Sequence, residues 1–231
     1  MSRVLICPDL HLPCSRKHAL RFCKDIQKKY KTNKTVFLGD IFDFHAISFH
    51  AQHPEMPGPQ KEFDLAYEQV RPWYDAFPKA DVCIGNHDRR VVRLAESVNI
   101  PKKFLREYAD VWDTPKWDWA DEHIIDDVLY VHGEGSNGGV NPAYNKMKSL
   151  SMSVVQGHVH SKTGIQVLVS PKVRLFGMTL GGLIDDKSLA FAYGKYNMSR
   201  TVLCCGVVID GHPYLELMEV GQNEKYYDGN D

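Results

Sequence analysis

Short apolar runs that stop at polar, glycine-bearing clusters alternate with stretches of helical spacing through the first hundred residues. Arg3 to Cys7 is a mostly apolar run ending at Pro8-Asp9, and His18 to Tyr30 places Ala19, Phe22, Cys23, Ile26 and Tyr30 on one face of a predicted helix. Thr35 to Leu38 predicts a second strand ending at Gly39-Asp40, Glu62 to Phe77 a long helix, and Asp81 to Ile84 a third strand ending at Gly85-Asn86. Strands that alternate with helices need crossover connections, so the sheet they build is largely parallel.

A helix-like Arg89 to Ser97 is followed by an irregular, aromatic-rich stretch with Trp112, Trp117 and Trp119, read as packing in a side lobe in preference to covering a site. Glu122 to His132 holds two short strands around Asp126-Asp127, Pro142 to Leu150 suggests a helix, and Val154-Val155 leads into Gly157-His158. From Gly164 onward β signals dominate. Thr201 to Ile209 and Tyr214 to Val220 flank Asp210-Gly211-His212-Pro213, a hairpin pattern, and the polar tail from Gly221 to Asp231 is expected to fray. The pattern predicts one domain over residues 1–220, with 44–61 and 99–121 as candidate cap or insert segments.

A length of 231 residues suits a single α/β domain, and 43% hydrophobic with 25% charged residues is ordinary for a globular chain. The formal charge of −1 excludes a whole-protein basic field for nucleic acid while leaving a local positive groove open. Six cysteines form no CxxC pair and several lie in apolar runs, which predicts buried, reduced thiols. Met1 leads straight into a strand-like run, and no apolar stretch approaches the roughly 20 residues of a membrane span. The expected address is the cytoplasm, with no membrane partner and no particular oligomeric state implied.

The chemistry lies where the strands end, since ligands of open α/β sheets bind outside the carboxyl ends of the strands. Five handovers carry metal-competent residues: Asp9-Leu10-His11, Gly39-Asp40-Ile41-Phe42-Asp43, Gly85-Asn86-His87-Asp88, Val131-His132-Gly133 and Gly157-His158-Val159-His160. Singly each is weak, because Asp and Gly at a strand end more often make a turn or a helix cap. Jointly they place carboxylates, an amide and imidazoles along one sheet edge, a mixture that favours Mn, Fe, Ni or Zn over Mg or Ca.

The ordered series DxH, GDxxD, GNHD, a lone His before Gly, and GHxH resembles the calcineurin-like metallophosphoesterase superfamily, from Asp9 to His160. The resemblance implies a four-layer α/β/β/α sandwich of two mixed β-sheets flanked by helices. It also implies two divalent transition-metal ions, Mn²⁺ foremost. Asp9, His11 and His160 would hold one ion, Asn86, His132 and His158 the other, with Asp40 between them and a bridging hydroxide attacking phosphorus. His87 corresponds to the family's general acid, and Asp43 to the carboxylate that pairs with it.

Two departures bear on substrate. Protein serine/threonine phosphatases of this superfamily continue GDxxD with Arg-Gly, whereas Phe44 and His45 stand here, and their GNHE is GNHD in this chain. The expected activity is therefore a phosphodiesterase acting on nucleotides or nucleic acid. A phosphomonoesterase is the alternative, and a catalytically silent scaffold a further one. Arg89, Arg90 and His45 are the candidate substrate-binding residues, with Arg93, His50 and His53 nearby.

Overall fold

The computed structural model describes residues 2–49, 55–135, 139–185 and 200–219. Its first strand, β1 (Arg3–Cys7), is buried on both faces: Leu5 and Cys7 turn to one core, Val4 and Ile6 to another. A strand covered on both sides reads as a continuous apolar run, as the sequence does here. The chain continues through α1 (Ala19–Tyr30), β2 (Lys34–Phe37), α2 (Pro59–Ala76), β3 (Ala80–Cys83), α3 (Arg90–Ser97), α4 (Tyr108–Val111) and β4 (Trp117–Ala120). The second half comprises β5 (Glu122–Ile125), β6 (Val128–Val131), α5 (Pro142–Leu150), β7 (Ser153–Gln156), β8 (Gly164–Val169), β9 (Arg174–Thr179), β10 (Cys204–Ile209) and β11 (His212–Leu217).

These strands form two mixed sheets, ordered β11-β10-β1-β2-β3-β4 and β5-β6-β7-β9-β8. β1 to β4 run parallel and the β10–β11 hairpin adds antiparallel to β1. Three apolar layers separate the elements. Phe22, Ile26, Val70 and Trp73 of α1 and α2 pack with Leu5 and Phe37 on the outside of the first sheet. Val36, Leu38, Tyr130, Val155 and Met178 fill the space between the sheets, and Met147 of α5 covers Leu129 and Val154. The four-layer α/β/β/α sandwich implied by the resemblance is the architecture of the protein.

Two details differ from the sequence reading. The stretch 99–121, read as irregular, contains α4 and the edge strand β4, whose Trp117 and Trp119 face the helices while Asp118 faces the other way. A period-two pattern only four residues long is too brief to stand out in an aromatic-rich stretch. The hairpin turn is Asp210-Gly211 alone: both residues have positive φ, 51° and 75°, and Ile209 pairs with His212, so His212 and Pro213 belong to β11. Val220, the tail 221–231, His50 and His53 lie outside the described residues. No disulfide joins any of the six cysteines, and no helix among the described residues is long and apolar enough to cross a membrane.

The aromatic stretch contributes directly to the core. Trp112 is 1% exposed and stacks on Phe42 at 3.5 Å between ring centres, with Phe63 stacked 4.9 Å away. Trp112→Ala is expected to cost about 3–5 kcal/mol of unfolding free energy. Urea unfolding checks this, and a loss below about 1 kcal/mol would show that the stack is not part of the cooperative core.

Candidate metal centre

The strand ends of both sheets meet at one edge of the sandwich. The loops after β1 and β2 run side by side, His11 N–H donating to the Asp40 carbonyl at 2.9 Å and Asp43 N–H to the Leu12 carbonyl at 2.9 Å. Asp9, His11, Asp40 and His158 all have left-handed backbones, with φ of 35°, 50°, 48° and 69°. Non-glycine residues adopt this region at a cost and gather where function requires a particular side-chain direction. Glycines make room for the carboxylates. A Cβ on Gly85 would lie 2.1 Å from Asp40 Oδ1, and one on Gly157 would lie 2.3 Å from Asp9 Oδ2.

Two groups of potential ligand atoms result. Asp9, His11, Asp40 and His160 form one, and Asp40, His132 and His158 the other, so the Asp40 carboxylate belongs to both. In the first, His160 Nε2 lies 3.2 Å from His11 Nε2 and 3.4 Å from Asp9 Oδ1. In the second, His132 Nε2 lies 2.9 Å from Asn86 Oδ1, 3.1 Å from His158 Nδ1 and 3.3 Å from Asp40 Oδ2. Asn86 thus joins the second group.

The outer nitrogens settle the tautomers. His132 Nδ1–H donates to the Leu38 carbonyl at 2.8 Å, and His11 Nδ1–H donates to Asp43 Oδ1 at 2.9 Å. Each arrangement turns Nε2 inward, the nitrogen whose lone pair a metal-ligating histidine uses once its proton is displaced. Burial and the neighbouring His87 charge lower the pKa of His11, and burial and His132 lower that of His158. Burial works the same way on His132, but the charges of Asp40 and Asp9 overcome it and push that imidazole up to about 10. A potential that retains a proton so firmly also attracts a divalent cation. The donor set therefore fits two ions that share Asp40.

Asp43 serves two histidines. Its Oδ1 also lies 3.2 Å from His87 Nδ1, and His87 Nδ1–H donates to the Asp43 carbonyl at 2.8 Å. Burial alone would raise Asp43, yet hydrogen bonds and charge from His11 and His87 hold it well below the usual carboxylate range. The pairing with His87 expected from the resemblance is present; the bond to His11 was not foreseen.

The three candidate substrate-binding residues are placed differently from one another. Arg90 is buried, donates to the Asp43 and Phe44 carbonyls at 2.6 and 3.0 Å, and brings Nη2 to 3.2 Å from His87 Nε2. Arg89 points to the rim and pairs with Asp121 at 2.6 Å and Glu134 at 3.5 Å. His45 is buried in a 3-10 turn, where its N–H and that of Ala46 donate to Glu62 at 2.6 and 2.8 Å. Arg93 lies over the Phe49 ring.

Glu62 and Asp88 were not singled out from sequence, and both brace the site. Asp88 is fully buried and accepts from Phe42 N–H at 3.1 Å and Gly85 N–H at 2.9 Å, tying the loop after β2 to the loop after β3. Burial, then the charge of Asp40, raises its pKa to about 7. Its signal was present as the last letter of GNHD; Glu62 offered only an acidic residue near a helix start. Asp88→Ala leaves two buried N–H groups unpaired and should cost about 1–3 kcal/mol for each. Urea unfolding together with faster hydrogen exchange at the Phe42 and Gly85 amides checks this, and unchanged exchange at both amides contradicts it.

The sequence profile of calcineurin-like phosphoesterases matches residues 2–176. A comparison with curated proteins finds no match. Among solved structures, Vps29 from Chaetomium thermophilum is similar with a TM-score of 0.51 and 10% identity, over 98% of this chain and 94% of its own. The phosphoesterase Yfce from E. coli gives 0.40 and 12%, over 97% and 96%, and the nuclease MPE from Pseudomonas putida 0.39 and 14%, over 92% and 86%. At 10% identity, the likeness to Vps29 is one of fold.

Proposed function

The chain belongs to the calcineurin-like phosphoesterase family, and on that premise we propose that it is a dimetal phosphodiesterase acting on nucleotides or nucleic acid. The observation that carries this reading is the Asp40 carboxylate common to two convergent ligand groups. Asp9, His11 and His160 would hold one ion beside Asp40, and Asn86, His132 and His158 the other. When bound, the pair supplies Lewis-acid stabilisation of the phosphoryl oxygens and ionises water at neutral pH.

The chain's own groups supply the rest. Asp43 holds His87 by its Nδ1, so Nε2, which accepts from Arg90 Nη2 at 3.2 Å, is the nitrogen that would carry a proton to the departing oxygen once that contact opens and the imidazole is protonated. Arg90, with Nη2 3.2 Å from that nitrogen, places positive charge where the leaving oxygen becomes negative. A diester carries one negative charge and a monoester up to two. The sparse cationic provision favours the diester: Phe44 and His45 follow Asp43 where the phosphatase branch has an arginine, and Arg89 is committed to Asp121 and Glu134.

After EDTA treatment, added Mn²⁺ should restore cleavage of bis-p-nitrophenyl phosphate in preference to p-nitrophenyl phosphate. Preference for the monoester would replace the diesterase reading with the phosphatase one, and no turnover of either, or of dinucleotides, would leave a silent scaffold.

His87→Ala should keep both ions and lose about 10²–10⁴-fold in kcat on a dinucleotide, whose leaving group is poor. The loss should be smaller with the nitrophenyl ester. Equal losses on both substrates would remove His87 as the acid.

Asp40→Ala should lose metal from both positions at once, measured as metal per chain after dialysis. Retention of two ions would refute the shared carboxylate.

A further inference from the structure

A second cluster of ligand-type side chains lies where the chain passes from one sheet to the other. Asp121 alone separates β4, at the edge of the first sheet, from β5, at the edge of the second. Asp81 and Asp118 are register partners on the parallel strands β3 and β4. Their neighbours Val82, Trp117 and Trp119 join the helix-side core while Cys83 joins the core between the sheets, so both carboxylates face the second sheet. His123 of β5 pairs with Tyr130 of β6, and direct partners in an antiparallel pair share a face. Tyr130 is in the inter-sheet core, so His123 faces the first sheet. One ligand atom from each of Asp81, Asp118 and His123 lies within 4.8 Å of the other two.

Two observations set this cluster apart from an ordinary acidic surface pair. Like charges directly opposite on neighbouring strands repel, yet among the described residues neither carboxylate forms an ion pair. Exposed Lys34, Lys79 and Lys116 line the same recess of about 380 Å³ without pairing with either. Independently, two buried polar atoms on this face have no hydrogen-bond partner: His123 Nε2 and the hydroxyl of Tyr130, a residue 0% exposed. Burial raises the Tyr130 pKa, and the charges of Asp126 and then Asp81 add to it. Unpaired buried groups of this kind are costly unless something completes them.

We propose that Asp81, Asp118 and His123 form a further cation site, distinct from the centre at Asp40, for a divalent transition metal with Zn²⁺ foremost. An imidazole with two carboxylates suits zinc over calcium or magnesium. Water completes the coordination, and the Tyr130 hydroxyl is the buried hydrogen-bonding group on that face. The ion relieves the Asp81–Asp118 repulsion and ties the edge strands of both sheets together at their corner.

The test is zinc per chain for the intact protein, His123→Ala and Asp118→Asn, each equilibrated with Zn²⁺ and passed through a desalting column. Each variant should hold one zinc fewer than the parent, whatever the Asp40 centre retains. Asp118 is exposed on an edge strand, so Asp118→Asn keeps the fold, which circular dichroism verifies. An anomalous peak at the zinc edge among the three side chains should appear in zinc-soaked crystals of the parent. Parental zinc content in both variants, or no peak there, overturns the site.

Discussion

Burying several carboxylates at one edge of a sheet is the constraint on which this structure turns. Asp9, Asp40 and Asp43 are each at most 2% exposed, and a buried charge is tolerated only when hydrogen bonds or opposite charges surround it. His87 N–H donates to Asp40 at 2.8 Å, His158 N–H reaches Asp9 at 3.2 Å, and imidazoles supply the remaining partners. Gly85 and Gly157 leave those carboxylates the space a Cβ would take, and the left-handed turns at Asp9 and Asp40 aim them. The parallel strands matter to function because they deliver these turns to one edge.

Around this anionic centre lies a shell of braces. Asp88 joins the two loops that carry Asp40 and His87, Glu62 fixes the turn after Asp43, and Arg90 grips the Asp43 and Phe44 carbonyls. Such a shell holds the donor atoms at fixed spacing before any ion or substrate arrives, and that spacing is what dimetal chemistry needs. The same arrangement engages the two arginines that follow the third strand-end motif. Arg90 is occupied with the backbone and His87, and Arg89 with acidic residues on the rim.

Much of this was legible in the sequence because the relevant constraints are local. A strand that ends in Gly-Asp or Gly-Asn-His records both the turn and the donor, so β1, β2, β3 and the residues beyond them could be read directly. The second sheet came from the resemblance, and its β6 and β7 were visible as apolar runs ending at His132 and Gly157. What escaped depends on distant partners. β4 is a strand because it pairs with β3, Glu62 is a brace because α2 starts under the turn at His45, and Asp88 accepts from a residue 46 positions away. The Asp81, Asp118 and His123 cluster has no local signature either, since strand register assembles it from three strands in two sheets.

The most direct test of the central claim is anomalous diffraction from crystals of the protein soaked in Mn²⁺. Two manganese peaks should flank the Asp40 carboxylate, one beside Asp9, His11 and His160 and the other beside Asn86, His132 and His158. A single peak, or none in contact with Asp40, would contradict the account.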